Sequence, residues 1–296
     1  MKKLLVICGP TAVGKSSLAV TLAQKYNGEI ISADSRQVYR ELDVATGKIT
    51  KNEMAGISHH LLDVADPSDD FSVADYKTLA DQAIADIHKK NKLPILCGGS
   101  GFYIQAVVDD LLLPDVPPNE TLRKKLKKRS SESLFRELKE KDSRRAAEID
   151  AQNPVRLIRA LEIIAELGKV PELQKQKRFD VLQICLDRPD KELKNRIIAR
   201  TKERFEDGII AEAEELYENG LSLERMRELG LEYEVLADYL EGGLTKQQLF
   251  KQIIKNDWQY ARRQRTWFKK DGRIHWFHPK ADKPEIIKVV KDLIEK

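Results

Sequence analysis

Residues Gly9, Pro10, Thr11, Ala12, Val13, Gly14, Lys15 and Ser16 match the pattern G-x-x-x-x-G-K-[ST]. Glycines let such a loop wrap with its backbone N–H groups turned inward, and the helix that follows adds partial positive charge at its N-terminus. Lys15 then reaches the terminal phosphates, and the Ser16 hydroxyl suits a Mg²⁺ ligand. The motif calls for a ligand with two or more linked phosphates, not for ATP in particular. Enzymes of phosphoryl transfer usually add a strand-terminal Asp for metal or water. Here the apolar run Leu93–Cys97 ends in Gly98-Gly99 with no acid, and the carboxylate nearest in kind is Asp34, after Ile30-Ile31-Ser32-Ala33. An Asp there could position metal, accept a proton from a nucleophile, or simply cap a turn.

The elements that must position these groups read as alternating strands and helices. Leu4–Cys8 is a short apolar run stopped by Gly9-Pro10, Glu29–Ala33 is a second strand, and Leu93–Cys97 is a third. Helical periodicity occupies Ser16–Tyr26, and again runs from the N-cap Ser72 to about Lys89. This predicts an α/β fold with a P-loop-type parallel sheet core flanked by helices. Pro114, Pro117 and Pro118 break the alternation, and 120–178 reads as charged helix without a strand. Val181–Leu186 returns to the sheet, and the remainder is helix-rich over about 190–206, 209–219, 228–241 and 246–269. The expected organisation is a core of 1–115 and 181–296 interrupted by an all-helical insertion domain at 116–180.

Charge separates along the same lines. The 296 residues carry a net +4, but 121–178 holds 17 Lys/Arg against 9 Asp/Glu and 251–270 holds 7 against 1, which leaves the rest at −10. Two basic segments on an acidic body suit a polyanion, because neutralising phosphates releases counterions. In 251–270, Trp258, Tyr260, Trp267 and Phe268 interleave with Arg262, Arg263 and Arg265, so aromatics packed inward and arginines facing RNA are expected. Three scattered cysteines offer neither a disulfide framework nor a zinc site. The first apolar run is too short for a signal h-region or a membrane span, so a cytoplasmic protein with no membrane partner is expected.

Several segments together resemble the tRNA dimethylallyltransferase family (IPP transferases): the loop at 9–16, Asp34-Ser-Arg-Gln-Val-Tyr39, Gly98-Gly-Ser-Gly-Phe-Tyr103, Asn153-Pro-Val-Arg-Leu-Ile-Arg-Ala-Leu-Glu162 and Tyr260-Ala-Arg-Arg-Gln-Arg-Thr-Trp-Phe268. The resemblance implies transfer of a dimethylallyl group from dimethylallyl diphosphate to the exocyclic amine of the adenosine 3′ of the anticodon, in tRNAs reading codons that begin with U. It implies Mg²⁺, a loop that holds the isoprenoid diphosphate, Asp34 as general base, Thr11 near the reacting atoms and Arg204 as a second cationic clamp. It further implies tRNA contacts from Asp34, Ser35, Arg36, Gln37, Arg156, Arg159, Arg262, Arg263, Gln264 and Arg265, with the insertion gripping the anticodon stem-loop. A monomer is expected, since a stem-loop gives no reason for two-fold symmetry. The family's Gly-Tyr-Arg/Lys segment stands here as Gly230-Leu-Glu-Tyr233, and the zinc finger of eukaryotic relatives is absent. The rival readings are an adenylate isopentenyltransferase acting on free AMP, ADP or ATP, which has no use for a basic insertion, a P-loop nucleotide kinase, and an NTP-driven RNA-binding switch.

Overall fold

Leu4, Val6 and Cys8 point to one side of strand β1 (Lys2–Cys8) and Leu5 and Ile7 to the other, and all five are fully buried. A strand apolar on both faces belongs in the middle of a parallel sheet with helices on each side. The computed structural model, which describes residues 1–295, places it there. The six strands run parallel in the order β3-β2-β4-β1-β5-β6. After β1 come α1 (Lys15–Lys25), β2 (Gly28–Ala33), α2 (Lys51–Met54), β3 (His59–His60), α3 (Val73–Lys89), β4 (Leu93–Gly98) and α4 (Gly101–Val108). The insertion follows as α5 (Glu120–Leu126), α6 (Ser131–Lys141), α7 (Ser143–Glu148) and α8 (Pro154–Leu167). The chain closes with β5 (Phe179–Leu186), α9 (Asp190–Glu206), α10 (Ile209–Glu218), α11 (Leu223–Leu229), α12 (Glu232–Leu240), α13 (Lys246–Phe268), β6 (Ile274–Phe277) and α14 (Lys283–Glu295).

Register decides where the chemistry sits. Cys8 lies opposite Gly98, and Gly98 lies opposite Ala33. The carboxyl ends of β1, β4 and β2 are therefore level, so the loop from Gly9, the turn from Gly99 and Asp34 leave the sheet side by side. Ligands of open α/β sheets bind beyond this edge, where strand order switches direction.

The chain divides into two compact units, Met1–Asp110 with Lys177–Lys296, and Leu111–Gln176. The proline cluster at 114–118 predicts that the inserted segment begins at 116. A backbone bond from Leu112 N–H to Gln174 O (3.3 Å) already ties its two ends together, and β5 begins at Phe179, opposite Lys2. The second unit is helical and has its own core, including Leu134, Leu138, Leu157 and Leu161. Its helices start on side-chain caps from Asn119, Ser130, Asp142 and Asn153. Buried Glu162 accepts from Arg123 Nε and from Asn119 N–H, each at 2.8 Å.

Glu29, next to the start of β2, is only 2 % exposed. Burial alone would raise its pKa, but hydrogen bonds from Lys92, His60 and Lys90 prevail and hold it at about 2. A carboxyl lowered on folding contributes stability above its ordinary value of 4.5 and loses it as pH falls toward 2. Replacing Glu29 by Gln is expected to cost about 2 kcal/mol of unfolding free energy at neutral pH. Urea melts across a pH series should show the difference from wild type closing between 4.5 and 2.

Candidate active site

The phosphate loop is held in shape from its outer side. Gly9 has φ +139°, and a Cβ there would lie 2.5 Å from Leu186 O, so only glycine fits this close passage of β1 into the loop. Gln264 Oε1 accepts from Thr11 N–H (2.8 Å), while its Nε2 donates to Gly99 O (3.1 Å). Arg188 Nε donates to Val13 O (2.9 Å), and Arg196 Nε to Ala12 O (2.7 Å). Because a trans peptide points its C=O and N–H in opposite directions, fixing Val13 O outward turns Gly14 N–H the other way. Arg200 Nη1 donates to Thr11 Oγ1 at 3.0 Å, and its Nη2 to Thr46 O and Gly47 O. Burial, then the neighbouring Arg204 charge, pushes Arg200 down to about 10, so it stays a cation at neutral pH.

Lys15 opens α1 and donates from Nζ to Pro10 O at 2.8 Å. Burial lowers its pKa, opposed by the nearby Cys97 and Asp34. Ser16, the second residue of α1, is exposed. Pro10, Thr11, Ala12 and Val13 thus form a framed turn whose cations are Lys15 and Arg200, with Arg188 and Arg196 behind it. An arrangement of this kind suits linked phosphates.

Asp34 leaves β2 into a tight turn, its Oδ1 accepting from the N–H groups of Arg36 (2.9 Å) and Gln37 (3.4 Å). Ser35 N–H donates to Ser100 Oγ at 2.9 Å, joining this turn to the one after β4. Arg36 Nη1 donates to Ser35 O, and Gln37 Nε2 to Gly47 O. Burial, then the Asp34 charge, raises the pKa of Tyr260 on α13, with Ser100 beside its hydroxyl acting the other way. One carboxylate, one tyrosine hydroxyl and the framed loop therefore share the sheet edge.

Three expectations change. Arg204 does not reach the loop: its Nη1 donates to Glu232 Oε1 (2.9 Å) and Asp257 Oδ2 (3.2 Å), and the residue is 4 % exposed. Arg196, Arg200 and Arg204 are spaced by four on α9, and at 3.6 residues per turn each step drifts by about 40°. The first two therefore face the loop while the third turns toward α12 and α13. Gln264 is buried in the loop frame and not on an RNA-facing surface. Arg265, expected to face RNA, instead pairs with Asp187 (2.8 Å) and Asp190 (2.5 Å). Arg262 and Arg263 are exposed, as is Arg156 on α8, whereas Arg159 donates to Val116 O and pairs with Glu162. Arg188, Arg196, Arg200 and Ser100 also contact the loop or the Asp34 turn, and among them only the i, i+4 spacing of Arg196 and Arg200 is a signal visible in the sequence.

Mg²⁺ is usually held by one or two protein oxygens together with waters and substrate phosphates. The donors fit that mode: Ser16 offers an exposed hydroxyl at the loop, and no cluster of three or more His, Cys, Asp or Glu suited to a metal occurs among the described residues.

Fold and site together define a P-loop-type α/β protein with a cation-ringed loop beside a carboxylate. A family model described as IPP transferase matches residues 37–271. A tRNA dimethylallyltransferase of Anoxybacillus flavithermus is 42 % identical over 282 residues, covering 93 % of this chain and 90 % of that one. Another, from Synechocystis, is 38 % identical over 296 residues, covering 99 % and 95 %. The crystal structure of a tRNA isopentenylpyrophosphate transferase from Bacillus halodurans aligns with TM-score 0.76 and 37 % identity, covering 100 % of this chain and 97 % of that one. A eukaryotic dimethylallyltransferase, solved acting on tRNA, aligns at 0.84 with 27 % identity, over 100 % of this chain and 80 % of its own. The chain belongs to the IPP transferase family.

Proposed function

We propose that this protein transfers the dimethylallyl group of dimethylallyl diphosphate to the exocyclic amine of the adenosine 3′ of the anticodon, in tRNAs reading U-starting codons. The observation that carries the reading is the level register of β1, β4 and β2, which sets Asp34 beside a loop ringed by cations. In the reaction the amine nitrogen bonds to the allylic carbon, the C–O bond breaks with its electron pair leaving on diphosphate, and the amine proton passes to Asp34. An adenine amine is a poor nucleophile, so most of the acceleration comes from stabilising the leaving group. Lys15, Arg200 and the Gly14 N–H supply fixed positive charge where negative charge grows. The Arg200 contact with Thr11 supports Arg200, rather than Arg204, as the second clamp. Mg²⁺, with Ser16 as its protein hydroxyl, would add charge neutralisation when bound. Asp34 takes the proton only as the new bond makes the nitrogen acidic.

The target base must leave its stack to reach Asp34. Exposed Arg262 and Arg263, with Arg263 5.7 Å over the Tyr260 ring, and Arg156 on the basic insertion are the cations suited to RNA phosphates. The protein acts as a monomer in the cytoplasm on this reading. No helix among the described residues is long and apolar enough to cross a membrane.

The test offers radiolabelled dimethylallyl diphosphate with Mg²⁺ to an anticodon stem-loop and to AMP in parallel. Label in the stem-loop is expected; label in AMP alone would make it a free-nucleotide enzyme. Replacing Arg262 and Arg263 together by Ala should weaken stem-loop binding and reduce the slope of log affinity against log salt by about 1–2. An unchanged slope would place those arginines off the RNA.

A further inference from the structure

Leu231 has φ +51° and ψ −120°, a strained conformation for a branched residue, and the two residues after it are buried and polar-bonded. Strain of this kind persists where surrounding contacts over-determine it, and it clusters at functional sites. We infer that Glu232 and Tyr233, at the start of α12, are positioning residues that hold Arg200 against the phosphate loop from two directions. The inference rests on the reading that Arg200 engages the diphosphate.

The first direction runs through the segment 43–47. Tyr233 is 1 % exposed and donates its hydroxyl to Glu212 Oε1 at 2.7 Å. Glu212 is otherwise spent on backbone: it accepts from Asp43 N–H (2.9 Å), Val44 N–H (2.5 Å) and Ala45 N–H (3.0 Å). That bracket fixes the turn whose Thr46 and Gly47 carbonyls receive Arg200 Nη2, at 3.0 and 3.1 Å. The fit is tight, because a Cβ on Gly47 would lie 2.0 Å from Arg200 Nη2. A carboxylate accepting three N–H groups and a phenol sets a turn far more rigidly than solvent would.

The second direction runs through Arg204, one helical turn beyond Arg200. Two guanidinium groups so close on one helix repel, and each would swing away if free. Glu232 and Asp257 draw Arg204 inward, and their charge also acts on Arg200. Arg200 is thereby left pointing at Thr11 Oγ1. The Gly230–Tyr233 segment lacks the basic residue that the family carries, and in this chain it serves the diphosphate end of the site.

The decisive experiment is a double-mutant cycle on the full-length protein, with inorganic diphosphate as the probe in calorimetry and with KM and kcat for dimethylallyl diphosphate measured alongside. Tyr233→Phe and Glu232→Gln are each expected to weaken diphosphate binding about fivefold or more, raising KM. Affinity for the stem-loop alone should stay within about twofold. Arg200→Gln is expected to cost about tenfold or more. In the Arg200→Gln background the further loss from Tyr233→Phe should shrink below about twofold, because the group being positioned is gone. If Tyr233→Phe costs the same in both backgrounds, its role is structural and the inference fails while the diphosphate reading stands. If Arg200→Gln itself leaves affinity unchanged, the diphosphate reading fails and the inference goes with it. Should either α12 variant melt below assay temperature, the other carries the cycle.

Discussion

Asp34→Asn is expected to lower the rate of prenyl transfer by roughly 10²–10⁴ while leaving KM for dimethylallyl diphosphate nearly unchanged. The substitution is chosen because an amide oxygen can still accept from Arg36 and Gln37 N–H, so the turn after β2 survives. What it removes is the capacity to take a proton. The cations that hold diphosphate, Lys15 and Arg200, lie on other elements, and their contacts to Pro10 and Thr11 do not pass through Asp34. A loss confined to kcat, with the melting temperature kept, therefore reports a base. If Asp34 were only a turn former, Asn should be almost silent in rate and Asp34→Ala should act mainly on stability. Single-turnover measurements on a stem-loop substrate separate these outcomes, and near-normal transfer by the Asn variant would remove the base from this position.

The legible and illegible parts of this molecule differ in the range of the interaction that fixes them. Strand β1, its loop and α1 are spelled out locally, by an apolar run, a glycine turn and a helical repeat, and they stand where those signals put them. The Ser72 cap, which accepts from Ala74 and Asp75 N–H, is equally local. Strands β3 and β6 carry no such signal. The first has two residues, and the second, itself four residues long and following α13, exists because Gln183–Leu186 of β5 offers it an edge. Site residues divide in the same way. Asp34 follows from its place at a strand end, but which two of three arginines on α9 meet the loop depends on about 80° of helix rotation accumulated from Arg196 to Arg204. Gln264 sits in a run of arginines that reads as an RNA face, yet helix α13 turns it inward to bond Thr11 and Gly99. No spacing rule within that run distinguishes Gln264 from its neighbours; the partner atoms are 165 and 253 residues away.

Lys15→Met should weaken diphosphate binding and slow transfer by about 10²–10³, with melting temperature unchanged or raised. The two halves of this result have one cause. Burial lowers the pKa of Lys15, which means that the folded protein holds its ammonium at a cost that Pro10 O and the nearby Asp34 only partly offset. A diphosphate supplies the missing counter-charge, and more of it as the allylic bond breaks, so the loss should fall on kcat as well as on KM. The same lowered pKa fixes the pH dependence. Affinity for diphosphate should be fully present below the lowered value and should decline as pH rises through it, since the neutral amine has no charge to give. Binding restores the proton, so calorimetry in buffers of different ionisation enthalpy should register proton uptake at alkaline pH in the wild type and none in the Met variant. A Met variant that bound diphosphate within twofold of wild type would mean that the loop's backbone and Arg200 carry the site without Lys15, and the leaving-group mechanism would have to be rebuilt on them.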